Sequence, residues 1–116
     1  MAETEIILIA APDASFRRSL EFALESDGFR VFAFANVNDA LACGCAQEVV
    51  CAVLDDDAID DWEHAGELFG RFAKPIILLI GLFRAAPDLP FVELVMKPFL
   101  GEPLIQAVRK AVAGLA

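Results

Sequence analysis

Uncharged polar side chains are scarce in this chain of 116 residues, and tyrosine is absent. Only four side chains carry a hydroxyl group, those of Thr4, Ser15, Ser19 and Ser26. Catalysis by a hydroxyl nucleophile is therefore not expected. Disordered and low-complexity segments are rich in the residue types that are scarce here, so the composition excludes them as well.

Positive charge is also in short supply. Nine Lys and Arg residues face 18 Asp and Glu residues, which gives a net charge of −9. Such a surface repels nucleic acids and anionic lipid headgroups, so neither is expected as a partner. The longest apolar run, from Pro75 to Phe83, is too short to cross a membrane. The acidic N-terminus does not resemble a secretory signal, and the sequence predicts a cytoplasmic protein.

Cysteine and histidine are too few and too scattered to predict a metal site. The three cysteines, Cys43, Cys45 and Cys51, have no histidine near them in sequence. We interpret them as reduced thiols, with Cys51 inside a strand. The single histidine, His64, is interpreted as a surface residue of a helix.

Hydrophobic residues make up 58% of the chain, and they are arranged in a regular order. Short apolar runs alternate with segments of helical periodicity, a pattern typical of a parallel sheet covered by helices on both faces. The predicted strands are 5–10, 30–34, 49–54, 75–80 and 92–96. The predicted helices are 13–28, 36–42, 60–72 and 101–114, and Asp13 is the predicted N-cap of the first of them. One domain over residues 1–116 accounts for the whole pattern.

The interval from Gly81 to Phe91 departs from this rhythm. It contains Pro87 and Pro90 and has no apolar stripe of helical spacing. A crossover helix is expected between two parallel strands, so we predict that the fourth helix is shortened or missing.

Charged residues are expected to meet at the carboxyl ends of the strands, where open parallel sheets form their sites. Asp55, Asp56 and Asp57 follow the third strand, and Lys97 follows the fifth. With the strand order, the Lys97-Pro98-Phe99 motif and the segment Phe16–Leu20, these residues resemble the receiver domain of two-component response regulators. The resemblance covers the whole chain and implies a doubly wound (βα)5 fold of flavodoxin type, with strand order 2-1-3-4-5.

Two residues of the receiver site are retained in this resemblance. Asp55 matches the aspartate that accepts the phosphoryl group, and Lys97 matches the lysine that contacts it. The acidic pair that holds Mg²⁺ in the family is replaced by Ala11 and Pro12. We therefore expect no cofactor, and weak Mg²⁺ binding at most. The chain departs from the receiver pattern at four further positions. Ile80 replaces the hydroxyl residue that ends the fourth strand, Leu94 replaces the aromatic switch residue, Ile59 replaces a proline and Glu63 replaces a glycine.

These losses predict that ordinary phosphorylation switching is impaired. We expect a signalling module, not an enzyme, that binds a histidine kinase or another signalling protein. Asp55 and Lys97 are then a retained ion pair. The acidic run after Asp55 is interpreted as the solvated start of a helix, which its dipole favours. In the alternative function, Asp55 still accepts a phosphoryl group in a phosphorelay. A small-ligand sensor is a third hypothesis, which no residue pattern supports.

The last helix carries an apolar stripe that allows two interpretations. Its members either fill the core or form a contact surface with the edge of the sheet. For the second case we predict a homodimer through strands four and five and the last helix. The interface residues would be Leu94, Leu104, Val108 and Val112.

Overall fold

Five parallel strands form one sheet in the order β2-β1-β3-β4-β5. The computed structural model describes residues 5–42, 44–81, 92–97 and 102–114. The strands are β1 (Ile6–Ala10), β2 (Arg30–Phe34), β3 (Cys51–Asp55), β4 (Ile76–Ile80) and β5 (Val92–Met96). The predicted doubly wound parallel sheet and its strand order are confirmed.

Four α-helices lie in the described residues, and side-chain caps set the starts of two of them. They are α1 (Ala14–Ser26), α2 (Val37–Ala42), α3 (Trp62–Phe72) and α4 (Glu102–Ala113). The Asp13 carboxylate accepts a hydrogen bond from the Phe16 N–H at 2.8 Å, which confirms the predicted cap of α1. Asp61 caps α3 in the same way, so this helix begins two residues later than predicted. None of the helices in the described part of the chain is long and apolar enough to cross a membrane.

Strand residues alternate between two hydrophobic cores, one on each face of the sheet. On one face, Ile7, Val53 and Leu79 pack with α1 and α4. On the other face, Leu8 and Leu54 pack with α2 and α3. Because the central strands are buried on both faces, they are apolar at almost every position, as the sequence predicted.

The third strand includes Asp55, one residue beyond its predicted end, and starts at Cys51 instead of position 49. The last strand agrees with its predicted bounds. The predicted loss or shortening of a helix concerns residues 81–91, which lie outside the described residues except for Gly81.

The apolar stripe of α4 belongs largely to the core, and this corrects part of the predicted interface. Leu104 and Val108 are fully buried in the cluster that covers the sheet. Val112 is partly buried against the same cluster. The sheet needs an apolar cover on this face, and α4 supplies it with its apolar stripe, which agrees with the first of the two interpretations, that the stripe fills the core. Of the four predicted interface residues, Leu94 is the exposed one, at 40%.

Candidate functional site

The carboxyl ends of β3, β4 and β5 bring the predicted charged pair together. Asp55 is the last residue of β3 and pairs with Leu79 of β4, while Lys97 directly follows β5. The Lys97 Nζ atom lies 2.6 Å from Asp55 Oδ1. Parallel strands that end at one edge of the sheet thus create a contact between residues 42 positions apart.

Two further carboxylates contact the same ammonium group. Lys97 Nζ lies 2.6 Å from Asp56 Oδ1 and 3.2 Å from Asp57 Oδ2. Asp55 and Asp56 are only 3% and 2% exposed, whereas Asp57 is exposed. The prediction of a solvated acidic run is therefore wrong for Asp56. A 3-10 turn over Asp56–Ala58 folds this residue into the site, and the sequence signal for it was the acid directly after the strand.

Backbone N–H groups also donate hydrogen bonds to the buried carboxylates. The Gly81 N–H donates to Asp56 Oδ2 at 2.8 Å, and the Asp57 N–H donates to Asp55 Oδ1 at 3.2 Å. A methyl group at Gly81 would stand 3.5 Å from Asp56 Oδ2, so the backbone approaches this carboxylate closely. Asp56 thus lies between an ammonium group and a backbone donor.

The three buried or half-buried charges have shifted pKa values. Burial raises the pKa of Asp55, and this effect outweighs the opposing effect of Lys97. Burial also acts to raise the pKa of Asp56, but the Lys97 ammonium and the Gly81 N–H together hold that pKa well below its usual range. Burial disfavours the charged form of Lys97, yet the neighbouring carboxylates raise its pKa above the ordinary value.

The end of β1 offers no carboxylate where the receiver family places its acidic pair. Ala11 is fully buried, and its carbonyl oxygen accepts a hydrogen bond from Arg17 Nη1 at 2.7 Å. The same nitrogen lies 3.4 Å from the Pro12 carbonyl oxygen. Asp13 is engaged in capping α1. A guanidinium group thus contacts the backbone carbonyl groups of the two residues that replace the acidic pair.

One group of carboxylate oxygens could in principle hold a cation. Ligand atoms of Asp55, Asp56 and Asp57 lie within 4.8 Å of one another. The Lys97 ammonium already lies within 3.2 Å of an oxygen from each of them. Mg²⁺ at these oxygens would have to compete with that charge and would have no carboxylate from the end of β1.

Two hydrophobic residues hold Lys97 in place. The Ile80 carbonyl oxygen accepts a hydrogen bond from the Lys97 backbone N–H at 2.9 Å, while the Ile80 side chain is buried. The Phe16 ring of α1 has its centroid 5.9 Å from Lys97 Nζ, within the range of a cation–π interaction. Sequence reasoning missed Phe16 as a site residue, because an aromatic residue on an amphipathic helix predicts core packing.

Solved structures of receiver domains are similar to this chain over nearly its whole length. A response regulator receiver protein from Sinorhizobium medicae WSM419 has a TM-score of 0.79 at 24% identity, and the match covers 98% of each chain. A receiver domain protein from Clostridium thermocellum has a TM-score of 0.77 at 18% identity, with 96% of each chain covered. With the five-stranded sheet, these likenesses show that the chain has the fold of a receiver domain.

Sequence comparison identifies the family of the chain. The chain is 31% identical over 114 residues to the transcriptional regulator protein FixT of Rhizobium meliloti (strain 1021), a match that covers 97% of this chain and 96% of that protein. The chain belongs to the same family as FixT. No protein-family model matches it.

Proposed function

We propose that this receiver domain acts in signal transduction by binding a histidine kinase or another signalling protein, without the Mg²⁺-dependent phosphoryl switch. One observation carries the proposal. Lys97 is held by three carboxylates of its own chain, at 2.6, 2.6 and 3.2 Å. The ammonium group of the site is therefore already paired, and one positive charge against three carboxylates leaves an excess of negative charge. Neither an acidic pair on β1 nor a hydroxyl residue at the end of β4 is present to receive a metal or a phosphoryl group.

Electrostatics supports this proposal. A phosphoryl group on Asp55 would add up to two negative charges next to Asp56, which is itself 2% exposed. Two unit charges 4 Å apart interact by about 4 kcal/mol at an effective dielectric constant near 20. Lys97 alone would offset this repulsion. The hydroxyl that Ile80 replaces would have contributed a further ~1.5–3 kcal/mol as a hydrogen bond to a charged group.

The alternative function is a receiver that accepts a phosphoryl group on Asp55. The observation that favours it is the Asp55–Lys97 contact at 2.6 Å, since this is the pair that the receiver resemblance assigns to phosphoryl transfer.

Phosphorylation distinguishes the two functions. We expect that acetyl phosphate, with or without Mg²⁺, leaves the intact mass of the wild-type chain unchanged, because Asp55 is 3% exposed and faces a neighbouring carboxylate. Electrospray mass spectrometry of the wild type and of Asp55→Asn provides the measurement. A Mg²⁺-dependent gain of one phosphoryl group that disappears in Asp55→Asn would establish the alternative.

We propose in addition that a second copy of the chain contacts the surface around Leu94. This residue lies on the edge strand β5 and is 40% exposed. A groove next to it is lined by Glu93, Gln106 and Lys110, among others. Apolar exposure with a polar rim on an edge strand is typical of a protein contact.

Solution size tests this contact. We expect a concentration-dependent dimer for the wild type and a monomer for Leu94→Glu, because the new charge would be buried at the contact. Sedimentation velocity over a broad concentration range is the measurement. Glu25→Lys, an exposed change on α1, serves as a control that leaves the dimer intact. A wild type that stays monomeric at the highest concentration contradicts the contact.

A further inference from the structure

We infer that the Asp56 carboxylate is an internal occupant of the place between the Lys97 ammonium and the Gly81 N–H, and that it keeps an external oxyanion away from these two donors. This inference deepens the proposed function and rests on it, because it identifies the group that keeps the site closed to an external oxyanion such as phosphate.

The two donors approach different oxygens of one carboxylate. Lys97 Nζ forms an ion pair with Asp56 Oδ1 at 2.6 Å, and the Gly81 N–H donates to Oδ2 at 2.8 Å. A cation and a backbone N–H that converge on one anion provide the charge-assisted contacts by which proteins bind carboxylates and phosphates. The pocket is closed to water around this group, since Asp56 is 2% exposed.

The backbone fixes Asp56 in this position. The 3-10 turn that Asp56 begins is closed by a hydrogen bond from the Ile59 N–H to the Asp56 carbonyl oxygen, at 3.2 Å. The next residues anchor the turn in the core, with Ala58 and Ile59 only 4% and 8% exposed. The carboxylate is thus tethered at its donors and has a high effective concentration there. The depressed pKa of Asp56 agrees with an ionised occupant.

Removal of the Asp56 side chain would open the site without dismantling it. Lys97 would keep its contacts with Asp55 at 2.6 Å and with Asp57 at 3.2 Å. The Gly81 N–H would be left without that acceptor, next to a space that held a carboxylate. A small external oxyanion can then take the same two donors. Asp57 offers the matched control, since its carboxylate also contacts Lys97 and carries the same charge. It differs from Asp56 in being exposed, and the hydrogen bond from the Gly81 N–H goes to Asp56.

The test is a titration of the full chain with sodium formate and with inorganic phosphate, against sodium chloride at equal ionic strength. The variants are the wild type, Asp56→Ala, Asp57→Ala and Asp56→Asn. Amide chemical shifts of Gly81 and Lys97 and the thermal midpoint are recorded. For Asp56→Ala we expect saturable shifts and a rise in midpoint. The wild type should bind formate and phosphate about 100-fold or more weakly than Asp56→Ala, because its tethered Asp56 carboxylate competes for the donors.

The control variants should resemble the wild type. Asp57→Ala retains the occupant, and the carboxamide of Asp56→Asn fills the same space. A folded Asp56→Ala that gives no saturable response, or the same response as Asp57→Ala, overturns the inference. If Asp56→Ala does not fold in chloride, recovery of a cooperative unfolding transition in formate or phosphate supports the inference, and failure to recover overturns it.

The outcomes separate this inference from the proposed function. A wild type that is phosphorylated on Asp55 contradicts both. A wild type that resists phosphorylation, together with an unresponsive Asp56→Ala, contradicts the oxyanion site alone.

Discussion

Replacement of Lys97 by methionine is expected to lower the free energy of unfolding by about 3–5 kcal/mol near neutral pH. The ammonium group is the shared partner of two carboxylates that are 3% and 2% exposed. Methionine retains much of the aliphatic length but leaves Asp55 and Asp56 next to each other without a counterion. Chemical denaturation of the variant and the wild type gives the difference.

The effect of Lys97→Met should depend on pH in a defined direction. Without the ammonium group, the folded-state pKa values of Asp55 and Asp56 rise above the unfolded value of about 3.9, so the variant gains stability as the pH falls and they bind protons. In the wild type, the lowered pKa of Asp56 stabilises the fold above that unfolded value, and this stabilisation is lost as the pH falls through the folded-state pKa. The difference in the free energy of unfolding between the wild type and Lys97→Met should therefore become smaller below about pH 5.

The basic limb of the same curve reports on Lys97 itself. Its pKa is raised in the folded chain, so its stabilisation is fully present below the unfolded value of about 10.4 and is lost as the pH rises through the folded-state pKa. Lys110→Met removes the same charge from an exposed position on α4 and should change stability by only about 0.5 kcal/mol. Equal losses of stability for Lys97→Met and Lys110→Met, or a loss for Lys97→Met that does not vary with pH, would contradict the stabilising role of the ion pairs around Lys97.

Leu104→Ala is expected to cost about 2–5 kcal/mol, whereas Leu94→Ala should cost about 0.5 kcal/mol or less. Both changes remove the same atoms. Leu104 is fully buried between α4 and the sheet, so its truncation leaves a cavity, while Leu94 is 40% exposed. Urea denaturation of the two variants compares them directly. A large loss at Leu94 with a small one at Leu104 would contradict the assignment of α4 to the core.

The fold could be predicted because hydrophobic pattern and burial agree along the strands. Runs such as Ile76–Ile80 are apolar throughout, and the structure buries every one of their residues. Caps are equally local, which is why Asp13 was identified from sequence. The stripe of α4 was harder, because helical periodicity reveals an apolar face but not whether the sheet or a partner covers it. The predictions of a cytoplasmic localisation and of a dimer remain predictions.

The site could be predicted only as far as strand ends determine it. Asp55 ends β3 and Lys97 follows β5, so the topology of the sheet places both residues at the same edge. The role of Asp56 depends on a 3-10 turn and on the backbone N–H of Gly81, which lies 25 residues away in sequence. No periodicity signals such a contact. An acid after a strand is usually solvated, and here the tertiary structure overrides that tendency.

The ion pair between Lys97 and Asp56 bears on how this receiver domain is expected to signal. The ammonium of Lys97 and the carboxylate of Asp56 are already paired at 2.6 Å, so neither group is available to an incoming phosphoryl group without breaking this pair. Signalling would then follow from the amount of the protein and from its binding surface, and not from a phosphorylated state.

The most direct test is a titration of the isotope-labelled wild type with beryllofluoride and Mg²⁺, which together mimic a phosphoryl group on an aspartate. Amide chemical shifts of Asp55, Asp57, Gly81 and Lys97 report on the site, and Asp55→Asn is the control. A closed site predicts no saturable shift at any of these amides. Saturable, Mg²⁺-dependent shifts in the wild type that are lost in Asp55→Asn would contradict the closed site and establish a working phosphoryl switch.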